Sequence, residues 1–126
     1  MKLKDIIVEL EKHKGKSLKV ENDLILLDGY FDSYRGYYAY MALSYNSWEY
    51  GGYDYNDSTV HKVEELLDIL KKSRGSYMTG WKGGEYQVCE DLEVFVSNEG
   101  CNTQMYIAEI EDMDYYVNIK LKKFED

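Results

Sequence analysis

Two apolar stripes at helical spacing, separated by short strand-like runs, most constrain what this chain can fold into. The second stripe is the clearer, because its aliphatic residues recur every three or four positions and lysines and a glycine follow its last turn. The aliphatic residues are Leu3, Ile6, Ile7 and Leu10 in the first stripe, and Val60, Val63, Leu66, Leu67 and Leu70 in the second. We predict one amphipathic helix over residues 2–14 and another that is capped at its start by Asp57 or Ser58.

The rest of the chain has the patterns of β-strands and turns. The predicted strands comprise Leu18 and Val20, residues 24–27, residues 37–45, residues 77–82, residues 85–89, Val94 and Val96, residues 105–110 and residues 115–121. In residues 37–45, the face that carries Met41 and Leu43 is expected to point inward. The fold class is α+β: two helices packed on a mostly antiparallel β-sheet, in a single domain covering residues 1–126.

Turns and loops are predicted from glycine, asparagine and aspartate, because the chain contains no proline. Gly83 and Gly84 suit a two-residue hairpin turn, which would place Trp81 opposite Tyr86 and Lys82 opposite Glu85. Turns are also predicted at Asn22-Asp23, residues 98–103 and residues 111–114. Residues 46–56 have no periodicity, and we interpret them as a binding loop.

Composition excludes several classes of function. The net charge of −9 disfavours DNA or RNA as a polymer partner, because a phosphate backbone requires a basic surface. No apolar run approaches the length of a membrane span and no signal sequence begins the chain, so a cytoplasmic protein without a membrane partner is expected. The two cysteines and two histidines lack the spacing of a metal site, and no catalytic or cofactor motif is present. We therefore expect no metal, no cofactor and no enzymatic activity.

Tyrosines are concentrated around one arginine. Nine of the fourteen tyrosines lie between Tyr30 and Tyr55, and they surround Arg35. Tyrosine offers contact area with little rotamer entropy to lose, and a guanidinium can stack on a base or form two hydrogen bonds with a phosphate. The alternative is that many of these rings simply line strands, where aromatic residues are favoured.

Two later segments add candidate binding residues. Trp81 and Lys82 would present an aromatic ring and a cation at the tip of the predicted hairpin. Asn98 begins a turn with amide side chains, which are suited to reading the edges of bases. These residues are compatible with a small phosphorylated ligand, and a basic protein partner is the alternative.

Several of these segments resemble a family of small phage-encoded proteins, the Thoeris anti-defence sponges. The resemblance covers roughly residues 24–110 and is carried by DSYRGYY at residues 32–38, the helix that ends before Gly75, GWKGGEY at residues 80–86, and NEG at residues 98–100. Proteins of this family sequester a cyclic ADP-ribose signal made by a host TIR-domain enzyme, do not cleave it, and work as oligomers. The resemblance implies the same small cyclic nucleotide as partner, a homo-oligomer, and action in the host cytoplasm.

The resemblance also implies roles for the candidate residues. Arg35 would contact phosphate or ribose, and aromatic side chains would stack on adenine. Because only two arginines occur, Lys82 or Arg74 would assist at the phosphates, from the same or a neighbouring subunit. The candidate ligand-binding residues are Phe31, Tyr34, Arg35, Tyr37, Trp48, Trp81, Lys82 and Asn98.

Two other functions stay open. The region from Asp28 to Asp57 holds five acidic residues against Arg35, a local charge of −4, and such an acidic, tyrosine-rich surface suits an inhibitor that binds a host defence protein directly. A hydrolase with paired carboxylates is the other alternative, although no pattern in the sequence places an acid and a base together.

Overall fold

The computed structural model of the protein describes residues 1–34, 40–47, 59–79, 84–98 and 101–124. Within these ranges, each of two α-helices is followed by a run of strands. They are α1 (Leu3–Glu11), β1 (Ser17–Val20), β2 (Ile25–Ser33), β3 (Tyr40–Ser47), α2 (Val63–Ser73), β4 (Tyr77–Thr79), β5 (Glu85–Gln87), β6 (Glu93–Asn98), β7 (Cys101–Asp112) and β8 (Tyr116–Lys123). Neither helix in this part of the chain has the length and apolar character needed to cross a membrane.

The main sheet closes on itself into a six-stranded barrel, in the order β1-β2-β3-β6-β7-β8. In it, β3 pairs with β6 and β8 pairs with β1 in parallel, whereas the other neighbours are antiparallel. The strands β4 and β5 form a separate antiparallel pair. The predicted α+β class, with two helices and a mostly antiparallel sheet, is confirmed. The closure was not predicted, because it joins β1 to β8 from opposite ends of the chain, and the periodicity of a strand does not identify its partner.

The barrel consists of two units with the same order of elements. Each unit is a helix followed by three antiparallel strands, with the β4–β5 hairpin inserted in the second unit. The first strand of each unit pairs in parallel with the last strand of the other. The sequence itself shows no internal repeat, so this pattern is visible only in the topology.

One apolar core fills the barrel and extends to both helices. The buried aliphatic residues of α1 and α2 belong to the two predicted stripes. Met41 and Leu43 face the core as predicted. The strand residues of this core include Leu18, Val20, Ile25, Leu27, Val94, Val96, Ile107, Val117 and Ile119. Because burial of one such aliphatic side chain contributes about 1.5–3 kcal/mol, this core is the main stabilising feature of the fold.

Both helices are shorter than predicted. The first ends at Glu11, where the backbone N–H groups of Lys12 and His13 bond carbonyls three residues earlier. The second begins at Val63, because the segment before it is held extended by a bond from the Leu18 N–H to the His61 carbonyl. The Glu65 carboxylate accepts the N–H of Lys62 at 2.8 Å and so satisfies the start of this helix. The predicted caps, Asp57 and Ser58, lie outside the described residues.

The turn between β1 and β2 has a left-handed backbone. Glu21, Asn22 and Asp23 have φ angles of 46°, 52° and 71°, a conformation that is costly for residues other than glycine. The buried Asn118 side chain stabilises the turn by accepting the Asn22 N–H at 2.8 Å. The predicted buried strand over residues 24–27 is wrong at its first residue, because Leu24 follows this turn and is exposed.

The predicted register of the β4–β5 hairpin is also wrong. Tyr86 pairs with Met78 and Glu85 pairs with Thr79, so the connection is longer than a two-residue turn. The pairing continues toward α2, since the backbones of Ser76 and Val88 are hydrogen-bonded. Residues 80–83 lie outside the described part of the chain, as do residues 48–56 of the predicted binding loop.

Parts of two predicted turns and of the predicted binding loop belong to strands. Asn46 and Ser47 belong to β3, and β7 begins at Cys101 within the predicted turn over residues 98–103. The turn predicted over residues 111–114 lies slightly later, because β7 continues to Asp112. There, the Lys16 ammonium lowers the pKa of the Asp112 carboxyl group by a hydrogen bond, and the Asp114 N–H acts in the same direction.

Candidate functional site

Most of the predicted ligand-binding residues lie where the structure does not describe side chains. Asn98 is the last residue of β6, and Phe31 and Tyr34 are described in full. The residues outside the described ranges are Arg35, Tyr37, Trp48, Trp81 and Lys82. Their roles therefore stay predictions.

Phe31 and Tyr34 belong to different apolar clusters. Phe31 pairs with Leu43 across β2 and β3, so its partly buried ring packs against the barrel core. Tyr34 lies just after β2, with 3% of its surface exposed, and packs in a second cluster. The structure does not bring these two rings together.

Tyr34 makes close contacts with its surroundings. Its ring centroid lies 4.3 Å from that of Phe95, and the two rings are nearly perpendicular. Its hydroxyl oxygen accepts the backbone N–H of Gln104 at 2.9 Å. Gln104 has a positive φ of 62°, so this bond holds an unfavourable backbone conformation in β7. Tyr34 therefore connects the end of β2 to β7.

The second cluster, which we call the outer aromatic cluster, lies on the outside of the barrel. Its members are Tyr34, Tyr40, Phe95, Tyr106 and Phe124, together with Ala42. Strand alternation explains the position: Met41 and Leu43 point inward on β3, so Tyr40 and Ala42 point outward. On β6, Phe95 likewise points away from the core residues that flank it.

Phe95 is the centre of the cluster. Its ring centroid lies 4.8 Å from Tyr40, 5.7 Å from Phe124 and 5.9 Å from Tyr106, in tilted or edge-to-face arrangements. Such arrangements are the favourable ones for aromatic pairs. Phe95 is buried, whereas the three rings around it are only partly buried. These outer rings can therefore contact a ligand without unpacking the barrel.

A cavity of about 330 Å³ opens on this cluster. It is lined by Tyr40, Glu93, Phe95, Tyr106 and Phe124. The volume is at the lower end of the range for small-molecule sites, about 300–1,000 Å³, and suits one flat ring with its substituents. Four aromatic walls and one carboxylate form an apolar site with a polar group at one side.

One carboxylate lines the cavity, and one lysine lies beside one of its walls. Glu93 pairs with Tyr40 across the parallel β3–β6 junction, and its Oε2 lies 3.2 Å from the amino nitrogen of Met1. Next to the Tyr106 wall of the cavity, the exposed Lys122 pairs with Tyr106 across β7 and β8. Among the described residues, Lys122 has no carboxylate within ion-pair distance. Through Tyr106, Lys122 is aligned with Phe95 two strands away, which corresponds to about 10 Å between their backbones.

A larger depression, of about 620 Å³, lies beside the β4–β5 hairpin and is less suited to a ligand. Its charged groups have partners: Arg74 lies 3.5 Å from Glu90, and Asp91 lies 2.9 Å from Lys4. The Lys4 ammonium lowers the pKa of the Asp91 carboxyl group through a hydrogen bond. A ligand would have to displace these ion pairs in order to contact the charged groups of the depression.

Sequence reasoning did not select the residues that line the outer cavity. Tyr40 lies on the opposite face from Met41 and Leu43, which are predicted to point inward, but nothing in the sequence connects it to Glu93, Tyr106 or Phe124. An outward aromatic residue between two inward valines, as at Phe95, was the available signal. It becomes informative only when the neighbouring strands are known.

In the described part of the chain, no group of three or more histidine, cysteine, aspartate or glutamate side chains is arranged to hold a metal ion. Comparisons with protein-family models, with curated proteins and with solved structures find no match to this chain.

Proposed function

We propose that this protein binds a small nucleotide signal of the cyclic ADP-ribose class and retains it without cleaving it, as a phage-type anti-defence protein. The observation that carries the proposal is the outer aromatic cavity, whose partly exposed rings suit a flat base. The resemblance of residues 24–110 to the Thoeris anti-defence sponges agrees with this ligand class. The same resemblance supports a homo-oligomer in the host cytoplasm.

The cavity and its surroundings suit the parts of a nucleotide. A base would stack against Tyr106 or Phe124, with about 1–3 kcal/mol per stacked base. Lys122, beside Tyr106 on the neighbouring strand, would contact a phosphate of the same nucleotide. Arg35 and Lys82 are the further phosphate ligands proposed from the sequence.

The affinity required of a sponge is within reach of these contacts. Nanomolar binding corresponds to about 12 kcal/mol. Two stacking contacts at about 1–3 kcal/mol each and several charge-assisted hydrogen bonds at about 1.5–3 kcal/mol each approach that value if the site is preorganised. Rings that already pack against Phe95 lose little freedom on binding, which favours preorganisation.

The first test concerns retention of the ligand. Incubation with a cyclic ADP-ribose isomer should deplete free ligand, and heating the protein should release the same molecule intact. Arg35→Ala should lose this retention, because the phosphate loses its guanidinium, while the free energy of unfolding changes by no more than about 1 kcal/mol. Ligand is measured by chromatography and stability by thermal unfolding. Recovery of a cleaved product would contradict sequestration and indicate an enzyme.

The second test concerns the cavity itself. Tyr106→Ala should weaken nucleotide binding by about 1–3 kcal/mol, because one stacking wall is removed. Isothermal titration calorimetry measures the change. Tyr115→Ala is the matched control: Tyr115 is 91% exposed at the β7–β8 turn and does not line the cavity, so its removal should leave affinity unchanged. Tyr106→Leu keeps an apolar side chain and separates lost stacking from lost packing. If all three variants bind the nucleotide with the affinity of the wild-type protein, this cavity is not the binding site.

An acidic inhibitor of a host protein is the second candidate, and the exposed side of β2 favours it. Tyr30 is exposed on this strand, with Asp28 and Asp32 at alternate positions on either side of it along the chain. Such a surface suits a basic patch on a protein partner. Capture of a specific host protein in nucleotide-free buffer, with loss of capture in Tyr30→Ala, would favour this function over sequestration.

A further inference from the structure

We infer that Glu93 makes the outer cavity selective for a ring that carries an exocyclic amine, such as adenine, over the keto analogue of the same ring. This inference rests on the proposed function and concerns the same site. It names the part of the ligand that the cavity distinguishes.

The position of Glu93 supports this role. Among the described residues that line the cavity it is the only carboxylate, and it lies beside Tyr40 at the start of β6. Its backbone is held by the bridge to Lys2 that joins the start of α1 to β6. The carboxylate is therefore presented from a strand, at a defined distance from the aromatic walls.

The side chain keeps capacity to accept hydrogen bonds. Although its Oε2 is 3.2 Å from the Met1 nitrogen, 37% of the side chain is exposed. An ionised carboxylate has about four acceptor positions and no donor. One contact with an ammonium group leaves the others available to a ligand in the cavity.

The chemistry of the ring edge then decides selectivity. The exocyclic amine of adenine donates N–H bonds, which the carboxylate accepts, and carboxylates recognise the amine of cytosine in the same way. The keto oxygen of hypoxanthine would instead face the carboxylate with its lone pairs. A site that hydrogen-bonds a substrate group rejects analogues that leave its polar atoms unpaired. We expect the ring with the amine to bind with about tenfold or higher affinity than its keto analogue. A tenfold difference in affinity corresponds to about 1.4 kcal/mol.

The experiment compares two nucleotides that differ at this edge. Adenosine monophosphate and inosine monophosphate are titrated into wild-type protein and into Glu93→Gln, with thermal unfolding to confirm the fold of each variant. Wild-type protein should prefer the adenine nucleotide. Glu93→Gln should reduce the ratio of the two affinities, because a glutamine amide can turn its N–H groups toward a keto oxygen. If that variant does not fold, the wild-type ratio alone decides the inference.

Glu9→Gln is the matched control. Glu9 on α1 is also 37% exposed and also lies near a cation, Lys12 at 2.9 Å, but it is not in the cavity. It should keep the wild-type preference. Equal wild-type affinity for both nucleotides would overturn the role of Glu93 while leaving the proposed function in place. Failure of both nucleotides and of a cyclic ADP-ribose isomer to bind would overturn the proposed function as well. Choline is tested as a further probe. If choline binds and none of the nucleotides does, this result would also overturn the proposed function and would identify the cavity as an aromatic cage for organic cations.

Discussion

Replacing Ile119 with alanine should lower the free energy of unfolding by about 2–5 kcal/mol. Ile119 is fully buried in β8 and is the register partner of Val20 across the parallel junction that closes the barrel. Truncation removes apolar contacts and leaves a cavity that neighbouring strands cannot easily fill, since both belong to a closed sheet. Chemical denaturation monitored by tyrosine and tryptophan fluorescence measures the change.

The control for this prediction is the next residue of the same strand. Lys120 is exposed, so Lys120→Ala should change stability by no more than about 0.5 kcal/mol. A double-mutant cycle with Val20→Ala tests the closure directly, because cross-strand partners should show a coupling of about 0.5–3 kcal/mol. Additive effects of the two substitutions would indicate that β1 and β8 are not neighbours.

Replacing Tyr34 with alanine should lower the free energy of unfolding by about 3–5 kcal/mol, as expected for a buried aromatic side chain. The loss has at least two physical sources: the ring no longer packs against Phe95 and Tyr40, and the Gln104 N–H loses its acceptor. Both losses affect the connection between β2 and β7. Thermal and chemical unfolding measure the effect.

Tyr34→Phe separates the two sources. It retains the ring and removes the hydroxyl group that accepts the Gln104 N–H, so it should cost about 1–3 kcal/mol. Tyr30→Ala is the exposed tyrosine control, with an expected change within about 0.5 kcal/mol. If Tyr34→Ala instead unfolds like the wild-type protein and only loses ligand, Tyr34 is a binding residue and its packing role is wrong.

The predictions from sequence were accurate where neighbouring residues determine the structure. The stripes that contain Ile6 and Leu66 are buried as predicted, because a period of 3.6 residues places their members on one face of a helix whatever that face packs against. The inward direction of Met41 and Leu43 follows in the same way from a period of two. Errors occurred where tertiary contacts act on a boundary, as at the start of α2, which the backbone of Leu18 delays.

The tyrosine-rich segment was a partial guide to the site. It contains Tyr34 and Tyr40, which do belong to the outer aromatic cluster. Their partners Phe95, Tyr106 and Phe124 come from the last third of the chain. Phe31 has the same aromatic character as these residues, but strand alternation directs it to the barrel core.

By itself, the sequence of this protein determined two amphipathic helices, the α+β class, the inward face of β3 and the net charge of −9. These properties depend on residues close in the chain or on composition. Only the tertiary structure decided which strands are neighbours. The parallel β3–β6 pairing brings Glu93 beside Tyr40, and the β7–β8 pairing places Lys122 beside Tyr106. The cavity exists because the closed barrel holds these distant residues on one outer surface, through backbone hydrogen bonds that any sequence of strand-forming residues can make.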